Sequence, residues 1–397
     1  MPFSKSGRSL SGLLMVVLAL SILTACGDNT ATPVPPAQAT TASSNSVPLT
    51  TGSVTTAPAA TTGTPPATTA AAATTAVNAA TTAASNSSTP KQEITLALGY
   101  IPNVQFAHMY VALEKGYFAE EGLNVKIQYG TINDLMAVVG QGKIQFAQAS
   151  GDEVLQARAQ GIPITYIAAI YQKYPVALAA LKDRNINKPA DLKGKTVAIP
   201  GPFGSNYTGL KVLLAAGNLT QDDVKVQSVG FTQREVLQQG KADAAVVFSM
   251  NEPVQLRKAG VEINTIEVSS LVSLASIGLI TSDSLITSNP ELVRKMVRAV
   301  TRGLKDTIAN PDDAFERTIK VAPDARGADP ELQKQVLKAT TGFMVADNVK
   351  GQPLGYVDPK VWEASEKFLL EQKLLASKID PSSAYTNKFV NADVGKY

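Results

Sequence analysis

From Lys91 onward, short apolar runs alternate with segments whose apolar residues recur every three or four positions, and Gly, Asn and Pro punctuate the joins. Runs of four to eight residues rich in Val, Ile and Ala read as strands. They predict strands over 94–100, 125–129, 144–149, 164–169, 176–181, 196–199, 224–228, 244–248, 263–268 and 276–280. Helical periodicity falls between them, over 106–121, 132–140, 152–159, 209–216, 235–240 and 252–259. Strand–helix alternation predicts parallel sheets covered on both faces, and so many strands predict two sheets, hence two lobes. The last third is helical. Pro290, Pro330 and Pro359 stand at helix first turns, predicting helices over 291–309, 330–341 and 359–375 that pack back on the first lobe.

The residues before 91 have another texture. Lys5 and Arg8 precede an apolar stretch over 13–23, the pattern of an export signal. Leu23-Thr24-Ala25-Cys26 resembles the lipobox of bacterial lipoprotein precursors, which implies a signal peptide over 1–25 and diacylglycerol on the Cys26 sulfur. Cleavage before Cys26 and acylation of the new N-terminus would follow. Each buried methylene adds about 0.8 kcal/mol, so several acyl chains make a durable anchor. An ordinary signal peptide with a chance cysteine is the alternative. From Gly27 to Pro90 the chain is almost wholly Thr, Ala, Pro, Ser, Gly, Asn and Val, with Asp28 its one charge. Such a segment has little to bury, so 26–90 is expected to be a disordered tether with a root-mean-square reach of roughly 45 Å. A cell-wall spacer or a glycosylated stalk would serve as a tether too.

Composition narrows the chemistry. Lys and Arg total 36 against 33 Asp and Glu, so no strong field favours nucleic acid. Past the N-terminus no apolar run is long enough to span a bilayer. The single cysteine excludes an intrachain disulfide, a CxxC redox pair and a cysteine metal site. No metal site and no cofactor is expected.

Several motifs carry a family likeness. Residues 96–107, LALGYIPNVQFA, lead to residues 110–125, YVALEKGYFAEEGLNV. Downstream stand 191–197, DLKGKTV, then 229–231, VGF, and 239–244, QGKADA. Together they resemble the thiamine-precursor/sulfonate/nitrate class of periplasmic binding proteins, over nearly all of 93–390. The resemblance implies an α/β, two-lobed, type II-like fold, each lobe a mostly parallel sheet flanked by helices, with a helical C-terminal part. Lobe 1 would comprise 91–178 and 277–397, and lobe 2 would comprise 179–276. It also implies a monomeric, lipid-anchored component of an ABC transporter on the extracytoplasmic side of the cell membrane, working with permease subunits and a cytoplasmic ATPase. Residues 99–106, 149–154, 251–256 and 384–387 look most like the riboflavin-binding lipoprotein branch, so vitamin transport with riboflavin as the carried ligand is expected. The pyrimidine precursor of thiamine, or another small heteroaromatic or sulfonate solute, is the alternative.

An enzyme reading exists because the fold resembles thiamine-pyrimidine synthases, which use a histidine and a cysteine-rich segment. Here the only histidine is His108, within Ala-His-Met-Tyr, and those cysteines are missing. No Ser/His/Asp set or metal cluster is left to build a reaction, so the chain is not expected to be an enzyme. A surface lipoprotein that contacts another protein without a small ligand is the third reading.

Parallel sheets bind ligands at strand C-terminal ends, where helix N-termini offer free N–H groups. That rule selects Asn103, Gln105 and Phe106 after the first strand, Tyr129 after the second, and Ser150 and Asp152 after the third. Tyr171 and Tyr174 lie near the first crossover. In the second lobe it selects Phe203, Ser205, Asn206 and Tyr207 on a loop opening a helix, then Phe231, Asn251 and Glu252. Amides both donate and accept, as a uracil-like ring edge requires, and aromatic faces suit a planar ring. Each has a plainer alternative: Asn103 as a cap, Asp152 and Glu252 as first-turn acids, any single aromatic as core. Gly201–Tyr207 lacks a phosphate-loop lysine, against nucleotide hydrolysis. Trp362 reads as core.

Overall fold

The computed structural model describes residues 91–397. The export signal, Cys26 and the segment through residue 90 lie outside the described residues. Among those described, no helix is long and apolar enough to cross a membrane.

The chain first lays down β1 (Gln92–Leu98), α1 (Ala107–Glu114), α2 (Tyr117–Glu120), β2 (Leu123–Tyr129) and α3 (Ile132–Gly140). Then come β3 (Phe146–Ser150), α4 (Gly151–Ala159) and β4 (Ile164–Ala169). It crosses to a second sheet through β5 (Val176–Leu181), β6 (Thr196–Ile199), α5 (Gly204–Ala216), β7 (Lys225–Ser228), α6 (Gln233–Gln238), β8 (Ala244–Phe248), α7 (Glu252–Lys258) and β9 (Ile263–Glu267). It returns as β10 (Ile277–Ser282), followed by α8 (Asp283–Ser288), α9 (Pro290–Ala309), α10 (Pro311–Val321), α11 (Pro330–Met344) and α12 (Pro359–Glu371). The sheet orders are β2-β1-β3-β10-β4 and β7-β6-β8-β5-β9.

Each apolar run forms its strand, with ends displaced by a few residues. The sheets are mixed, not wholly parallel: β10 runs antiparallel to β3 and β4, and β5 antiparallel to β8 and β9. The reason is geometric. The other strands of each sheet run alike, and a chain crossing from one sheet enters the next from the facing edge, against the grain. Because all of β5 pairs within the second sheet, the first crossing precedes residue 176, earlier than a division at 178/179. The two crossings are tied together: the Ile170 and Tyr171 N–H groups both donate to the Ile277 carbonyl, at 3.0 and 2.9 Å, and Ser276 Oγ donates to the Lys173 carbonyl at 2.9 Å.

Two helices depart from expectation. The periodicity over 106–121 breaks where Gly116 takes φ 76°, a left-handed conformation cheap only for glycine, so α1 and α2 are separate. Helix α5 begins at Gly204, five residues before the apolar pattern does. The C-terminal helices share one start signal. Asn289, Asn310, Asp329 and Asp358 each cap a helix whose next residue is proline, accepting the N–H groups of Leu292, Asp313, Leu332 and Lys360. Leu292, Met296, Val300 and Leu304 recur along one buried face of α9, which packs on α1 in lobe 1. α10 also packs on α1, and α12 packs on α4. Phe248, Met250 and Val254 of the second lobe join the first lobe's core, so the lobes share apolar contacts behind the cleft.

Candidate functional site

Between the lobes lies a cleft of about 970 Å³, open mouth included, at the C-terminal ends of β1, β3, β6 and β8.

Lobe 1 contributes Tyr100, Asn103, Gln105, Phe106, Gln148, Ser150, Glu153 and Tyr171 to its lining. Asn103 Oδ1 accepts the Gln105 N–H at 3.0 Å, a capping role that leaves the NH2 end of the amide. Tyr171, 1% exposed, is anchored by donating its hydroxyl to the Gln105 carbonyl at 2.9 Å. Gln148 comes from β3, the middle strand of its sheet, and its Oε1 lies 2.9 Å from His108 Nε2. Burial holds the His108 imidazole down, to about 4, so it is neutral at physiological pH.

Lobe 2 contributes Phe203, Ser205, Asn206, Phe231, Gln233, Phe248, Asn251 and Glu252. Phe203 folds its ring over Gly201, where a Cβ would collide with it. Phe231 is 62% exposed and meets Tyr100 of the opposite lobe edge-on, centroids 5.1 Å apart at 69°. Glu252, the first residue of α7, accepts the N–H of Phe248 at the end of β8 at 3.0 Å, and burial raises its carboxyl. Asn206 Nδ2 donates to the Val246 carbonyl at 2.9 Å and Asn251 Oδ1 accepts from Gln255 at 2.7 Å, so both amides are partly committed to the fold.

The helices α4 and α5 meet end to end across the cleft. Glu153 Oε2 accepts the Ser150 N–H at 2.9 Å, and the same carboxyl faces the Ser205 N–H of the other lobe. Gly204 sits at φ 69°, and a Cβ there would lie 3.2 Å from Glu153 Oε1. One carboxyl thus faces two helix N-termini. Burial, then the neighbouring Asp152, raises the Glu153 pKa, and burial raises that of Asp152. Among the described residues no Lys, Arg or His lines the cleft.

Four residues expected near the ligand stand elsewhere. Tyr129 exchanges a 2.7 Å hydrogen bond with Tyr110 against the lobe 1 core. Asp152 and Tyr174 are buried behind the cleft, where the Tyr174 hydroxyl sits 3.0 Å from Asp152 Oδ2 and 3.1 Å from the Ser205 carbonyl. Tyr207 lies on the outer side of α5, its hydroxyl donating to Gln221 and its ring under Lys211. Conversely, sequence reasoning missed Tyr100, Gln148, Glu153 and Gln233, which line the cleft too. Gln148 left a signal, a lone amide inside the buried strand Phe-Ala-Gln-Ala-Ser. Trp362 is core, edge-on to Tyr166.

The protein-family model described as NMT1/THI5 like matches residues 103–314. The riboflavin-binding protein RibY of Chloroflexus aurantiacus is 42% identical over 77% of this chain and 88% of its own length. A 4-amino-5-hydroxymethyl-2-methylpyrimidine phosphate synthase of Legionella pneumophila is more distant, 25% identical over 76% of this chain and 94% of its own. Among solved structures, the alkanesulfonate-binding protein SsuA of Xanthomonas axonopodis pv. citri, bound to MOPS, superposes with a TM-score of 0.59 at 17% identity, covering 74% of this chain and 98% of that one. Two sheets joined by two crossings, the cleft between them and these likenesses lead to one assignment: the chain belongs to the NMT1/THI5-like family and has the periplasmic binding protein fold.

Proposed function

We propose that this protein captures riboflavin outside the cytoplasmic membrane and delivers it, unaltered, to the permease of an ABC importer. The observation that carries this is the lining: aromatic rings and amides from both lobes, with no cation among the described residues. A flat, uncharged ring with a polar edge suits it. Rings at Tyr100, Phe203 and Phe231 offer stacking faces, while Asn103, Gln148, Ser150 and Asn251 offer hydrogen bonds. An anionic solute does not suit it. The helix N-terminus that would bind one already faces the protein's own Glu153 carboxyl. The similarity to RibY supports the flavin, and the absence of a cation weighs against FMN and alkanesulfonates. Binding proteins of this fold close their lobes on the solute, and the tied crossings at 170–175 and 268–276 are where such a hinge would turn. Attachment through lipid on Cys26 would keep the protein at the membrane, and a Cys26→Ala variant found wholly in the soluble fraction would support that anchor.

An aminopyrimidine is the second reading, favoured by one observation: Glu153 and Glu252 place two carboxyls at the cleft, which can accept from an exocyclic amine. Thermal unfolding separates the readings. At one hundred times its Kd a ligand stabilises by about 2.7 kcal/mol. Riboflavin is expected to raise Tm at micromolar concentration, with FMN, 4-aminopyrimidines and alkanesulfonates doing so only at much higher ones. A shift from the aminopyrimidine but not from riboflavin would replace the proposal by the second reading.

A further inference from the structure

Gln148 and, at the strand's end, Ser150 are the polar groups that the middle strand of the first sheet presents to the cleft, and Gln148 is 6% exposed. Behind it, fully buried on α1, stands His108, its Nε2 2.9 Å from the Gln148 Oε1. Packing holds that histidine. Helix α9 approaches so closely that a Cβ on Gly303 would strike the His108 carbonyl, and the Tyr171 ring lies edge-on 6.5 Å away. The other ring nitrogen, Nδ1, is buried without a partner.

Two arrangements of the proton satisfy the 2.9 Å contact. In one, Nε2–H donates to the Gln148 oxygen and Nδ1 is a bare lone pair. In the other, the amide is reversed, its NH2 donates to Nε2, and Nδ1 carries a buried N–H with no acceptor. Orphaned buried N–H groups are rarer than acceptors left short, so the first is preferred. Imidazolium would orphan the same N–H, and burial keeps the ring neutral down to about pH 4.

We infer that His108 is a positioning residue that locks the Gln148 amide with its NH2 group toward the cleft, so that this point of the site selects a ligand carrying an acceptor there, a ring carbonyl oxygen or an unprotonated ring nitrogen. The inference rests on the proposed capture of a heteroaromatic solute and narrows it: an oxo group is accepted at this position and an exocyclic amine is refused. It fits the oxo-bearing edge of a flavin.

The chain has one histidine, so 15N-histidine labelling gives a single imidazole whose two nitrogen shifts report the tautomer directly. The neutral Nε2–H form is expected from pH 5 to 8; an Nδ1–H form would overturn the inference. Gln148→Glu keeps an acceptor for Nε2–H but turns an oxygen toward the ligand, and a lost hydrogen bond plus a new repulsion predicts at least about ten-fold weaker riboflavin binding. His108→Leu frees the amide to turn, and is expected to narrow the preference for an oxo over a 4-amino pyrimidine, with unfolding midpoints showing whether each variant is folded. Unchanged affinity in Gln148→Glu, or unchanged preference in a folded His108→Leu, would refute the positioning role. Failure of the wild-type protein to bind any flavin would sink the functional proposal alone, since the tautomer spectrum still decides which way the amide faces.

Discussion

Replacing Phe231 with Ala removes an aromatic face that is 62% exposed and meets Tyr100 of the other lobe at 5.1 Å. The exposed fraction sets the scale. Full burial of a Phe side chain is worth about 1.5–3 kcal/mol, so a ligand that covers half of what is open here gains roughly 0.5–1 kcal/mol from area. Ring-on-ring contact adds about 0.5–1.5 kcal/mol. The loss in Phe231→Ala is therefore about 1–2.5 kcal/mol, or roughly five- to seventy-fold in Kd. The free protein loses little, because an exposed side chain supports few core contacts, and its stability is expected within about 0.5 kcal/mol of wild type. Phe231→Tyr keeps the face and should bind within about two-fold. Flavin emission during titration gives Kd, and urea unfolding gives stability. If Phe231→Ala binds riboflavin as the wild type does, the two lobes do not clamp a ring at this mouth and the reasoning fails.

Other consequences follow from buried charges and close packing. A carboxyl raised by folding, here to about 8, stabilises fully below its ordinary range and loses that contribution as pH climbs, so above about pH 6.5, where His108 no longer opposes it, the wild type should weaken with rising pH and Glu153→Gln should flatten the slope. An unchanged slope in urea unfolding from pH 5 to 8 would contradict the buried state assigned to Glu153. His108 works oppositely. A base lowered from near 6.5 to about 4 contributes stability above 6.5 that is lost as pH falls toward 4, about 3 kcal/mol by the size of the shift, so His108→Leu should be less acid-sensitive than wild type. Gly278→Ala would drive a methyl into the Tyr166 ring and the Ala168 carbonyl between two antiparallel partners, costing roughly 1–3 kcal/mol in chemical denaturation. A neutral effect there would mean that β10 sits elsewhere.

What the sequence disclosed, and what it hid, divides by range. Strands such as 164–169 and 244–248 are short apolar runs whose burial on both faces leaves one signature, so their positions were legible. The reversed direction of β5 and β10 was not, because it depends on which lobe the chain arrives from. The early start of α5 was hidden for a local reason. Gly-Ser-Asn-Tyr-Thr is poor helix sequence, and those residues are helical where Glu153 and the Val246 carbonyl, both distant in sequence, hold Ser205 and Asn206. Once that segment is helical, its periodicity carries Tyr207 to the outer face, beside Lys211 and Gln221. Strand ends pointed to the neighbourhood of the cleft, and Asn103, Phe106, Ser150, Tyr171, Phe203, Phe231 and Asn251 line it. They could not say which neighbouring polar groups would be consumed by each other, as Asp152 and Tyr174 are.

If two lobes wrap an uncharged planar ring between aromatic faces without changing it, riboflavin must bind and leave intact. Titrating riboflavin with the purified protein and following flavin emission tests it most directly. Saturable quenching at one site is expected, reversed when the flavin is recovered intact by denaturing the protein, with much weaker quenching of FMN. Emission that stays constant through a large excess of protein, or quenching equal for riboflavin and its phosphate, would contradict it.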